Sequence, residues 1–95
     1  MDQETLGKEP LHIDSVLMIM VEQVAAIAWQ KMGLQPDPMT GTTEVDLEQA
    51  KTAIDVVVEL CKFLEPKLDS EDLRLIQVLK SNLRVNFVQK QGGGN

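Results

Sequence analysis

The chain holds one cysteine, one histidine and no tyrosine, and its aromatic residues are Trp29, Phe63 and Phe87 alone. A single cysteine excludes an internal disulfide framework, and one cysteine with one histidine excludes a Cys/His zinc set. Basic residues are few, nine against fifteen acids, for a net charge of −6. That balance argues against a general polyanion binder. No uninterrupted apolar run reaches the roughly 20 residues that span a bilayer. The most apolar stretch is broken near its middle by Glu22 and Gln23, and no basic cluster flanks it for surface anchoring. The first residues lack the basic start and small-residue cleavage site of a secretion signal. Together these readings make nucleic acid and membrane poor partners and favour a cytoplasmic setting.

What is present is a globular composition, 43% hydrophobic and 25% charged, over 95 residues, which is one small domain. Residues 1–11 mix charges with Gly7 and Pro10 and read as a flexible N-terminal tail. Residues 90–95, ending Gly92-Gly93-Gly94-Asn95, read as a flexible C-terminal tail. The single domain between them covers residues 12–89. Three apolar periodic segments lie near residues 14–32, 46–65 and 70–89. The spacing predicts an all-α, three-helix domain with an ordered Pro/Gly-rich loop between the first two helices.

Local signals mark the helix ends. Asp14 or Ser15 is the expected N-cap of the first helix, and Gly33 the glycine just past its end. Asp46 with Gln49 three residues on forms a capping-box pattern, and Pro66 closes the second helix. Asp69 or Ser70 caps the third, with Leu68 and Leu73 spaced as a hydrophobic staple. Val85 to Val88 is the part of that helix with the weakest helical signal. In the intervening loop, Pro36 and Pro38 fix φ, Asp37 suits an Asx turn, and Gly41 suits a positive φ.

The helix faces carry the functional argument. The first segment has an apolar arc of roughly 220–240°, about twice the stripe of a one-sided surface helix. The second shows a heptad-like series, Leu47, Ala50, Ile54, Val57, Cys61 and Leu64, beside another stripe, Ala53, Val56, Leu60 and Phe63. Three helices of this length cannot cover so much apolar surface alone, and large exposed patches mark partner sites. The expected answer is a homodimer through the first helix, with Leu17, Met20, Val24 and Ile27 near the centre of the interface.

Residues able to carry chemistry are sparse. His12 precedes the first helix with no nucleophile tied to it by a motif. Cys61 sits on an apolar stripe, which suits an inert thiol. Asp37, Glu44, Asp46 and Glu48 do not follow a calcium-loop spacing and read as caps and turn residues, so no metal and no cofactor is expected. From Leu73 onward there are four basic residues and no acid, and Lys80 and Arg84 share a helix face. Helix-dipole compensation and pairing with the acidic second helix account for them. Two other readings stand beside the interaction module: an anion- or nucleic-acid-binding accessory using Lys80 and Arg84, and an enzyme with a subunit-interface site around Asp37, Glu44 or His12.

Three stretches share a recognisable spacing: Pro36-Asp37-Pro38-Met39-Thr40-Gly41; Asp46-Leu47 with Ala50-Lys51 and Ile54-Asp55; and Leu83-Arg84 with Phe87-Val88. In these the chain resembles a family of small bacterial proteins known as the domain of unknown function DUF1844, over roughly residues 14–88. The second connection departs from the family's usual Lys-Thr-x-Gly-Asn-Leu and reads Glu65-Pro66-Lys67-Leu68-Asp69. The resemblance implies a helical fold and a bacterial cytosolic setting, with no activity and no catalytic residues.

Overall fold

The computed structural model describes residues 9–92. Three helices account for most of it: α1 (Ile13–Lys31), α2 (Leu47–Leu64) and α3 (Ser70–Gln91), with a 3-10 turn at Glu65–Lys67 between the last two. Among the described residues there is no strand, and the only extended pairing is one antiparallel bridge between Met32 and Val45. The fold is all-α.

The first helix starts two to three residues earlier than an Asp14 or Ser15 cap would place it, because its N-cap is His12. The His12 backbone is extended (φ −103°, ψ 137°), and its Nδ1 accepts the Asp14 N–H at 3.1 Å. Asp14 is thereby free to meet Lys67 of the 3-10 turn at 3.1 Å, which ties the start of α1 to the end of α2. At the other end Gly33 lies at φ +77°, donating its N–H to Gln30 O, while the Leu34 N–H reaches Trp29 O, each at 3.0 Å. These two bonds are the Schellman pattern, and they satisfy carbonyls that the last turn leaves open.

The Asp46 cap forms as its spacing indicates. Its carboxylate accepts the Gln49 backbone N–H at 3.1 Å and the Gln49 side-chain amide at 2.8 Å. Those two bonds, the backbone one first, hold the Asp46 carboxyl below its ordinary pKa. Asp69 likewise accepts the Asp72 N–H at 2.9 Å and opens α3. That helix continues through Gln91, so residues 90 and 91 belong to it rather than to a tail. Residues 1–8 and 93–95 of the expected tails lie outside the described residues.

Helices α1 and α2 form an antiparallel hairpin. Val21, Ala25 and Ala28 of α1, with Met32 just past its end, are buried against Ala50, Ala53, Ile54, Val57, Cys61 and Leu64 of α2. Alanines on both sides keep the contact surfaces low, which permits close approach of the two axes. From α3, Ile76 and Leu83 are buried, with Leu79 and Phe87 half-buried beside them. The molecule is 19 Å thick in its thinnest direction, which fits two layers of helix: the hairpin and α3.

Candidate functional site

The position of α3 decides which apolar side chains remain open. Each residue of an α-helix turns about 100° from the last, so the sides of α1 can be assigned from the buried set. Val21, Ala25, Ala28 and Met32 face α2. On one flank Met18, Val21 and Glu22 line a groove with Asp72, Leu75, Ile76 and Leu79, which is the α3 side. Leu17, Met20, Val24 and Ile27 lie on the opposite flank. Leu17 and Val24 are half-buried at the edge of the core, whereas Met20 is 42% exposed and Ile27 is 43% exposed.

Helix α2 divides the same way. Lys51, Ile54 and Asp55 border α3 through Arg84, Phe87 and Val88. Ala53, Val56, Leu60 and Phe63 turn to the other side, with Phe63 65% exposed. The two open flanks meet: Val24 and Ile27 share one groove with Gln49, Thr52, Ala53 and Val56. The polar residues of that groove already have partners. The Gln49 amide is held by Asp46 at 2.8 Å, and the Thr52 hydroxyl donates to Glu48 O at 3.2 Å. The Thr52 methyl and the Gln49 stem are thus available to an apolar partner. Beside Val56, Leu60 and Phe63 the surface is lined by Asp55 and Glu59, which are paired with Lys51 at 3.0 Å and Lys62 at 2.9 Å.

The other candidates stand apart from this face. In the first loop, Asp37 Oδ1 accepts the Met39 N–H at 2.7 Å, and Asp37 O accepts the Gly41 N–H at 2.7 Å. Gly41 has φ +74°, and the Thr40 and Thr42 hydroxyl oxygens lie 3.0 Å apart. Pro36 and Pro38 flank Asp37 on the surface. Lys80 is not displayed beside Arg84 for an anion: its ammonium is turned in toward Glu65, and its side chain is only 12% exposed. The reason is the 3-10 turn, which carries Glu65 over α3, where Gln77 also reaches it at 3.4 Å. Arg84 is exposed and borders Asp55. Cys61 is fully buried, and that burial pushes its thiol pKa up. Among the described residues, no three His, Cys, Asp or Glu side chains come together as a metal set.

The family described as Domain of unknown function (DUF1844) matches residues 15–89. The chain belongs to that family. The DUF1844 match runs from the first turn of α1 to near the end of α3, so the open apolar face lies wholly within the family domain. No curated protein and no solved structure matches this DUF1844 chain. By length and composition alone α1 could cross a membrane. Its Glu22 and Gln23 interrupt that stretch, and Val21, Ala25 and Ala28 are spent on α2.

Sequence reasoning left two features of this DUF1844 protein unassigned. The α2 half of the face was visible as the stripe Ala53, Val56, Leu60 and Phe63, but its exposure depends on where α3 docks. The capping role of His12 had no sequence signal, since Asp14 and Ser15 both fit a cap better.

Proposed function

We propose that this DUF1844 protein is a non-enzymatic interaction module of the bacterial cytosol that self-associates as a homodimer through α1. The observation that carries this reading is the flank of α1 bearing Leu17, Met20, Val24 and Ile27. Leu17 and Val24 are half-buried against the core, while no described element covers Met20 and Ile27, each more than two-fifths exposed. Apolar surface on this scale is buried by association in soluble proteins. A two-fold pairing uses the same residues twice and leaves no open edge for further growth.

The Pro36–Gly41 loop is, in this reading, an ordered structural connector. Asp37, Met39, Gly41 and the Thr40 and Thr42 hydroxyls bond within the loop. With Lys80 committed to Glu65, an anion-binding role has little support. Met20→Glu tests the proposal, because Met20 is exposed enough for the protomer to accept the change. In a dimer it places two carboxylates in an apolar contact, at a cost of several kcal/mol, about enough to dissociate a micromolar complex. Size exclusion with light scattering should show one chain for Met20→Glu and two for the unmodified protein. Equal masses for both would remove α1 from the interface.

A further inference from the structure

The proposed α1 contact is too small to stand alone. A 19-residue helix is about 28 Å long. With a neighbour spacing of about 10 Å it presents roughly 280 Å² of footprint, or roughly 560 Å² over two protomers. Specific interfaces exceed about 1,000 Å² in total. The α2 stripe lies beside the α1 flank in a shared groove, and including it doubles the footprint past that threshold.

We infer that the dimer interface is the two-helix face, in which Val56, Leu60 and Phe63 of α2 join Met20, Val24 and Ile27 of α1. The occupant of this face is a second copy of the chain. The inference rests on the self-association reading above and states its geometry: two hairpins packed face to face as a four-helix bundle, with each α3 on the outside.

Three observations favour a second copy. The hairpin is a layer covered on one side by α3 and uncovered on the other, and an identical hairpin supplies the missing layer with matching length and spacing. The groove shared by the two helices carries no charged side chain, and the acids on the α2 half of the face are Asp55 and Glu59. Asp55 is paired with Lys51 and Glu59 with Lys62 inside each protomer, so closure strands no charge.

Phe63→Ala and Val56→Asp test this, with the dimer dissociation constant measured by sedimentation equilibrium and folding followed by circular dichroism. Phe63 is 65% exposed, so its truncation leaves the protomer fold intact. It is lost twice per dimer, and the dissociation constant should rise about tenfold or more. Val56→Asp should abolish the dimer; if that variant fails to fold, Phe63→Ala decides. A dimer that both variants leave at wild-type affinity, while Met20→Glu dissociates it, overturns the α2 contribution while keeping α1 in the interface. An unmodified protein that stays monomeric overturns both. A mass above two chains overturns the closed two-fold arrangement.

Discussion

Replacing Gly33 by alanine should destabilise the protein more than the same change at Gly41, although both glycines have a positive φ, +77° and +74°. Holding a residue with a Cβ in the left-handed region costs about 1–2 kcal/mol. Stiffening the unfolded chain returns about 0.4–1 kcal/mol. At Gly41 nothing lies within 4 Å of the added carbon, so the balance there is a net loss of about 1 kcal/mol. At Gly33 the added Cβ meets Val45 Cγ2 at 2.8 Å. Val45 is an exposed side chain and can turn away, but leaving its rotamer adds about 0.5–1.5 kcal/mol. The Gly33→Ala loss is therefore about 1.5–2.5 kcal/mol. Urea melts at one fixed protein concentration read both values, since the proposed dimerisation would be linked to unfolding. Val45→Ala removes the offending methyl group, so in that background Gly33→Ala should fall to the Gly41 value. A Gly33→Ala loss no larger than that of Gly41→Ala would refute the packing argument. An unchanged loss in the Val45→Ala background would do the same.

Asp46→Ala should lower the urea midpoint at neutral pH. Because the folded carboxyl is held below its ordinary value of 3.8, its contribution is complete above that value and fades as pH falls through it, so variant and wild type should converge in acid. Glu65→Ala leaves the mostly buried Lys80 ammonium without its partner and should cost about 1–3 kcal/mol in chemical denaturation. The double variant with Lys80→Met should recover most of that, and no recovery would show that packing by the Glu65 stem was what mattered. The Cys61 thiol should resist aromatic disulfide reagents in the native protein and react fully in urea; fast native labelling would contradict its burial. Treatment with a chelator should leave the melting temperature unchanged, and a drop would reveal a structural metal.

Much of the helix pattern is written locally. Asp46 and Asp69 precede their helices by the spacing that lets a carboxylate reach the third backbone N–H, and both do. Gly33 follows a periodic run in the place where a left-handed residue closes a helix, and it holds that conformation. What is not local was harder to read. The wide apolar arc of α1 could be measured from sequence, but its division needed the docking of α3, which covers the Met18 and Glu22 side and leaves the Met20 and Ile27 side open. Lys80 and Arg84 share a helix face in sequence, yet the chain reversal at Glu65–Lys67 brings an acid to one of them and not to the other. The His12 cap depends on a ring nitrogen acting as acceptor, a use of histidine that no sequence spacing announces.

In the proposed dimer the open flank of α1 is covered by a second copy of the chain. Sedimentation equilibrium of the unmodified protein at tens of micromolar tests it most directly, because it reads mass without reference to shape. The expected result is twice the chain mass of 10.6 kDa, falling toward one chain on dilution. A mass of 10.6 kDa across the whole concentration range would contradict it and leave the α1 face to a foreign protein or a membrane surface.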